Sequence, residues 1–349
     1  MLKIGIIGCG RVADQHVTEI LKIRNCEIVG VCDKEILMAK QLQERINVGR
    51  YFSDVDKLFE LKPDIIHITT PPQSHFELGK RCLESGSSIL VEKPFTLNVS
   101  EAKQLIEIAE KLDLKVTVGH NIQFSNAANR LRNIIKSGYL GGTPVHIESL
   151  WCHEHSNDYI NDKNHWIRFL PGKIVHDLIS HGVAIIAEFM NCDNPKVVAH
   201  GHVSPILRNM NEESMVDEIR VHIYDNDNVT AHYIFSSQIR PIIKQFRIFG
   251  PKKSLIMDHE HQTVIEFTSN YKYYLNHFIP PLIDAKQHLG NFINNIVKFM
   301  KREHYYEAGR KYLIECFYRS VADNTPVPIP YKQIVLTHKI IDDIFNQIY

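Results

Sequence analysis

The sequence predicts an α/β chain of two domains: a doubly wound parallel sheet, then an α+β domain built on an antiparallel sheet. Three observations carry this. The chain has 349 residues, and domains of about 100–200 residues make two the expectation. As far as Val118, short apolar runs alternate with amphipathic helical patterns, which is how a parallel sheet covered on both faces reads in sequence. Beyond Gly119, longer strand-like segments follow one another without intervening helices, the pattern of antiparallel pairing.

Taken in order, residues 2–7 are a short apolar strand ending in glycine, and residues 11–24 carry apolar side chains at helical spacing. Residues 27–32 form a second buried strand and residues 35–46 a second helix. Residues 48–52 read as a third strand, and Asp54 is placed to accept hydrogen bonds from the first amides of a helix over 55–61. Residues 64–69 are apolar again; residues 73–85 are helical and close at Gly86, which takes a left-handed helix end without steric cost. Residues 88–91 are a strand, Ser100 is the expected cap of a helix over 101–112, and residues 114–118 complete the series. In the second half, strands are expected at 145–152, 196–203, 218–224, 229–235 and 242–249, with Asp225-Asn226-Asp227-Asn228 as a hairpin loop. Helices are expected at 174–190, 291–301, 306–321 and 332–348. The domains are expected at 1–120 and 121–349, with the terminal helix available to pack back on the first.

Composition excludes several functions. The 40 basic and 40 acidic side chains cancel, whereas a general nucleic-acid binder carries a basic excess. No run approaches the roughly 18 apolar residues that span a bilayer. Met1-Leu2-Lys3-Ile4-Gly5 lacks the regions of a signal peptide, so no membrane association and a cytoplasmic location are expected. The seven cysteines are scattered without a C-x-x-C pair, which fits reduced thiols better than disulfides or a zinc site. The 20 histidines are the compositional feature whose use has to be found in the motifs.

Gly8-Cys9-Gly10-Arg11-Val12-Ala13 is a G-x-G-x-x-A turn between an expected strand and an expected helix, the context a dinucleotide-binding fingerprint requires. Gly8 permits the tight turn. Gly10 lets a pyrophosphate approach the backbone at the helix N-terminus, where Arg11 and Val12 present unpaired amides. Ala13 is small enough for close helix–strand packing. Asp33, at the end of the second strand, can accept hydrogen bonds from both adenosine ribose hydroxyls and would repel a 2′-phosphate. NAD is therefore favoured over NADP.

Two later strand ends lie on the ligand side of such a sheet. One runs into Thr70-Pro71-Pro72-Gln73-Ser74-His75, the other into Glu92-Lys93-Pro94. With the glycine turn, these motifs resemble the Gfo/Idh/MocA family of oxidoreductases, with E-K-P the most specific item. The resemblance implies a Rossmann dinucleotide-binding domain followed by a domain with a large open antiparallel sheet, covering the whole chain. It places Thr70, Pro71, His75 and Glu92 among the cofactor-binding residues.

In the second domain, Asp177 and His181 are four residues apart, so on one helix they share a face, extended by Ala184 and Glu188. The pattern resembles the family's D-x-x-x-H signature, although the usual glycine-rich run before the aspartate is thinned to Leu170-Pro171-Gly172-Lys173 and His176 precedes Asp177. The resemblance implies that Lys93, Asp177 and His181 serve the reacting hydroxyl. The proton acceptor is Lys93 or His181; His181 is preferred, with Asp177 orienting it and Lys93 stabilising negative charge on the oxygen. Asn121, Trp166 and Arg168 are candidates for the substrate side, the tryptophan stacking on a sugar ring and the arginine gripping an anionic group. The expected activity is NAD-dependent hydride transfer at a secondary hydroxyl of a sugar, sugar derivative or cyclic polyol. The alternatives are an enzyme that retains NAD and oxidises transiently, and a non-catalytic dinucleotide sensor. His153 with His155, and His200 with His202, sit at strand i, i+2 spacing without further zinc-ligand partners, so no metal centre is expected. His153, His155 and His176 are possible pocket lining. An apolar outer sheet face would need cover, which predicts a homodimer or homotetramer.

Overall fold

A computed structural model describes the chain apart from residues 48, 155–159, 161, 191, 226–228, 268–270 and 304–307. His155 and most of the expected 225–228 loop lie outside the described residues. Contacts divide the chain into two units. One comprises Met1–Asn121, Phe169–Pro171 and Arg310–Asp342; the other comprises Ile122–Arg168, Gly172–Gly309 and Asp343–Tyr349.

The first unit holds six parallel strands, β1 Leu2–Ile7, β2 Cys26–Cys32, β3 Arg50–Phe52, β4 Ile65–Ile68, β5 Ser88–Val91 and β6 Val116–Val118, in the order β3-β2-β1-β4-β5-β6. The order reverses between β1 and β4, which opens a crevice at their carboxyl ends. Every residue of β4 and β5 is buried, as expected of strands covered on both faces. Two expectations are corrected locally. The first helix is shorter, Arg11–Ile20, and the helix Val99–Lys111 is capped by Asn98 rather than Ser100. The Asn98 side chain accepts from the Glu101 amide at 2.9 Å, and Glu101 in turn accepts from the Leu97 amide at 3.1 Å. Arg310–Asp342 returns to the first unit, a return expected only of the terminal helix. Ile314, Phe317 and Tyr318 of helix Ala308–Ala322 pack into one apolar core with Ile4, Ile6, Val31 and Leu90, apolar area that the sheet and its own helices leave uncovered.

The second unit is a seven-stranded sheet of β7 His146–Cys152, β8 Lys196–His202, β9 Glu218–Tyr224, β10 Thr230–Ser236, β11 Lys244–Phe249, β12 Ser254–Asp258 and β13 Thr263–Glu266, ordered β13-β12-β11-β7-β10-β9-β8. It is mixed rather than wholly antiparallel, because β7 and β10 pair in parallel. These strands are distant in sequence, and a parallel pair needs a crossover rather than a hairpin, which neighbouring strand patterns do not reveal. The expected helix over 174–190 is two helices, Lys173–Leu178 and Ser180–Phe189, broken at Ile179. Helix Leu275–Met300 runs through Pro280 and Pro281, the pair that hides its first half from a reading of helix breakers. No helix among the described residues is long and apolar enough to cross a membrane.

Candidate active site

The glycine turn sits at the carboxyl end of β1. Gly8 has φ +92, and a Cβ there would lie 2.7 Å from the Thr70 amide nitrogen, so both backbone sign and space demand glycine. Thr69 Oγ1 donates to the Gly8 carbonyl at 2.7 Å, tying the turn to the end of β4. Gly10 differs: a Cβ there would meet nothing within 4 Å. It precedes Arg11 and Val12 in the first helical turn, whose amides have no acceptor within the helix. This empty floor at a helix N-terminus is the space a pyrophosphate would fill. Beside it, Asp33 Oδ2 accepts from the Cys9 amide at 2.7 Å and Oδ1 from the Glu35 amide at 2.9 Å. Each oxygen keeps a lone pair for a ribose hydroxyl, so these residues fit a dinucleotide.

The two glycines therefore separate by experiment. Gly10→Val is expected to melt within about 1 °C of the parent yet bind NAD about 100-fold more weakly, roughly 2.7 kcal/mol. Gly8→Ala is expected to lose about 3 kcal/mol of stability through its positive φ and the clash with Thr70. Calorimetric NAD titration and thermal melts check both; equal NAD affinity in Gly10→Val and the parent refutes the assignment.

Thr70, Pro71 and His75 follow β4. His75 is fully buried, with Nε2 2.8 Å from the Thr70 carbonyl and Nδ1 2.9 Å from the Pro94 carbonyl. Its ring lies between two strand-end loops and, when neutral, donates to one of the two carbonyls, which makes it a positioning residue and corrects its assignment as a cofactor contact. Burial lowers its pKa against the opposing pull of the two carbonyls.

Glu92 is corrected in the same way. It is buried, and its Oε1 accepts from Arg310 Nη1 and faces His16 Nε2, both at 2.7 Å. From there His16 Nδ1 meets His67 Nδ1 at 2.7 Å and His67 Nε2 meets Tyr318 Oη at 2.8 Å. One proton arrangement satisfies the series with both rings neutral: Tyr318 donates to His67, His67 to His16, and His16 to Glu92. Burial raises the Glu92 pKa, but the Arg310 guanidinium, His16 and Lys93 override it and hold the carboxyl well below its usual range. Burial, then His16, keep the His67 pKa far down. Lys93, next along, is half-buried at the end of β5, and its amide contacts Glu92 Oε2 at 3.1 Å. Buried His120 lies just past β6 with its pKa pushed down to about 3 by burial, then by His338. Asn121 follows, half-buried.

Sequence reading missed His16, His67, Arg310 and Tyr318. A signal existed for two of them: His16 falls on the apolar stripe of Ala13, Val17 and Ile20, and His67 interrupts Ile65-Ile66-His67-Ile68. A polar group in a core position requires a partner, but the pattern does not name it.

In the second unit, Gly182 seats the helix that carries His181, since a Cβ there would lie 2.5 Å from Tyr233 Cε2 on β10. His181 is half-buried, its ring 5.9 Å from that of Trp151 on β7. Asp177 is half-buried on the preceding helix, so the two do not share one continuous helix face. Glu188 is engaged elsewhere, pairing with Arg132 and accepting from Gln123 at 2.9 Å. Arg168 points both bonds of Nη2 at the Glu212 carboxylate, each 2.8 Å. This corrects its assignment to a substrate anion, because a largely buried carboxylate already neutralises it. Trp166 is half-buried with its ring against His165. His176 is buried, accepting from the Gly172 amide at 3.3 Å under Phe345, which removes it from the pocket lining. His153 contacts the Glu154 carbonyl.

Residues 2–120 match a family model described as oxidoreductase family, NAD-binding Rossmann fold. Glucose-6-phosphate 3-dehydrogenase of Bacillus subtilis (strain 168) is 32% identical over 141 residues, 40% of this chain and 40% of the relative's own length. Myo-inositol 2-dehydrogenase of Thermotoga maritima is 23% identical over 313 residues, 84% of this chain and 88% of that protein. The solved UDP-N-acetylglucosamine 3-dehydrogenase of Acidithiobacillus ferrooxidans shares the fold, with TM-score 0.75 and 19% identity over 99% of this chain and 97% of that one. Sheet order, glycine turn and family match agree that residues 2–120 form an NAD-binding Rossmann domain of the Gfo/Idh/MocA oxidoreductase family, and the chain as a whole is similar to a relative aligned along most of its length.

Proposed function

We propose that the protein is an NAD-dependent dehydrogenase acting on a secondary hydroxyl, or the corresponding ketone, of a sugar, sugar derivative or cyclic polyol. The observation that carries this is the empty floor at Gly10 with Asp33 anchored beside it by two amides. Bound NAD supplies the hydride acceptor. His181 takes the proton from the hydroxyl oxygen as hydride leaves the carbon that bears it, Asp177 orients His181, and Lys93 stabilises the charge that develops on oxygen. Trp166 and Asn121 are assigned to the substrate. The relatives named above act, by their names, on glucose 6-phosphate, myo-inositol and a UDP-sugar, which supports a ring hydroxyl as the reacting group. The paired Asp33 oxygens favour NAD over NADP.

A homodimer or homotetramer is part of this proposal. The outer face of the second sheet mixes His146, Glu148 and Arg247 with Leu150, Ile234 and Val198, and Phe278, Leu282, Phe292 and Phe299 of helix Leu275–Met300 are all at least 60% exposed. The test is reduced-nicotinamide absorbance with NAD against sugar phosphates, UDP-sugars and inositols, with light scattering on the same protein. Net NAD reduction with one of these classes, by an oligomer, is expected. Turnover without net reduction would replace the dehydrogenase reading with an NAD-retaining one. Tight NAD binding with no exchange would leave a dinucleotide sensor, and a monomer would remove the oligomer.

A further inference from the structure

The outer face of the second sheet gathers imidazoles and a carboxylate that the proposed chemistry does not use. Glu148 on β7 stands opposite His232 on β10 in the parallel register, and His232 stands opposite His222 on β9 in the antiparallel one. The three form a row across adjacent strands, with His146 two residues before Glu148 on the same face. The His232 ring lies edge-on to His146 at 4.7 Å and to His222 at 4.3 Å between centroids. One ligand atom each from His146, Glu148 and His232 lie within 4.8 Å of one another.

The hydrogen bonds around this cluster orient its lone pairs. His146 Nδ1 is 2.7 Å from Thr230 Oγ1, which donates to the Val145 carbonyl at 3.5 Å. In the tautomer in which Nδ1–H donates to this hydroxyl, the Nε2 lone pair is left on the side of Glu148. That is the arrangement in which a metal-binding imidazole is held by a bond from its other nitrogen. Nε2 lies 3.7 Å from Glu148 Oε1, too far for a hydrogen bond, and two lone pairs at that distance repel unless a cation stands between them. Donors about 2.0–2.2 Å from one tetrahedral zinc ion are about 3.3–3.6 Å apart, so a small contraction brings the pair to ligand spacing. Arg247 engages the other carboxylate oxygen, Oε2, at 3.3 Å and leaves Oε1 available.

We propose that His146 Nε2, Glu148 Oε1 and the His232 ring bind a first-row transition-metal dication, with zinc as the probe, and leave the fourth position to water or His222. Two imidazoles and one carboxylate suit zinc, copper(II), nickel or cobalt rather than the all-oxygen sites of magnesium and calcium. Strand alternation puts the cluster on the face opposite Trp151 and Tyr233, the side on which helix Ser180–Phe189 packs. The ion joins β7 to β10, the parallel pair, and takes no part in hydride transfer.

The experiment uses the full chain without a histidine tag, stripped with chelator and titrated calorimetrically with zinc sulfate; cobalt absorbance reports tetrahedral geometry. About one ion per chain is expected. Affinity falls at least about 100-fold in His146→Ala/His232→Ala, about 10–100-fold in Glu148→Gln, and is unchanged in His200→Ala/His202→Ala. Circular dichroism of each metal-free variant checks folding, and Glu148→Gln, which keeps side-chain volume, separates lost ligation from lost structure. No bound zinc in the parent, or parental affinity in the double histidine variant, overturns the proposal.

Discussion

His181→Asn is expected to bind NAD as tightly as the parent and to transfer hydride about 1,000-fold more slowly, because general-base catalysis contributes about 100–10,000-fold. The asparagine keeps a polar side chain beside Trp151 but accepts no proton at neutral pH. Lys93→Met is expected to cost a similar factor, about 100–1,000-fold, by removing the cation that stabilises the developing oxyanion. The two losses differ in their pH dependence. The parental rate falls on the acid side as the base protonates; in His181→Asn that limb disappears, whereas in Lys93→Met it persists. Steady-state rates with the best substrate of the sugar panel, measured from pH 5 to 9 beside NAD titrations, decide this. Either variant within about threefold of the parent rate would remove that residue from the mechanism, and a persistent acid limb in His181→Asn would transfer the base role to Lys93.

Arg310→Met carries the second large effect, on stability. It leaves the Glu92 carboxylate buried and without its guanidinium, and breaking one side of a buried pair costs about 3–5 kcal/mol. Arg310→Met/Glu92→Gln removes both charges and is expected to recover more than half of that loss, since the penalty belongs to the uncompensated ion. Acid acts on the same region with a definite sign. Glu92 has its folded pKa depressed, so its contribution is present above the unfolded value near 4.5 and is lost as pH falls through that value toward the folded one. The buried histidines act in the same direction. His67, His75 and His120 have folded values below 6.5, so below that pH the unfolded chain binds protons that the folded one refuses. Each then removes about 1.4 kcal/mol per pH unit until its own folded value is reached. Stability should therefore decline from about pH 6.5 downward, with a steeper section below about pH 4.5. Urea unfolding at a series of pH values checks both statements. An Arg310→Met midpoint equal to the parent's would refute the role of the ion pair, and a flat profile between pH 7 and 5 would refute that of the histidines.

Local chemistry alone located several features. Gly8 and Gly10, the Asp54 cap, the strand Ser88–Val91 and the carboxyl-end placement of Lys93 each depend on residues close in sequence, so propensity and turn chemistry locate them. The Asn98 cap shows how fine the margin is: Asn98 and Ser100 are both good caps, and the Glu101 carboxylate closing on Leu97 decides between them. His75 and Glu92 leave from the expected strand ends, but His75 turns onto the Thr70 and Pro94 carbonyls and Glu92 onto Arg310 and His16. A strand end says which edge of the sheet a side chain leaves from, but not whether it turns toward the ligand or back into the core.

The chain's sequence determined by itself that its first third is a parallel sheet with a dinucleotide turn, because those signals are periodicities and short-range backbone demands. Only the tertiary structure decided that Arg310 and Tyr318 reach back to Glu92 and His67, that β7 and β10 run in parallel, and that Arg168 is neutralised by Glu212. The physical reason is common to all three. A buried charge, a buried imidazole or a strand edge must find a partner, and the identity of that partner is set by which distant segments the chain brings to within hydrogen-bonding distance.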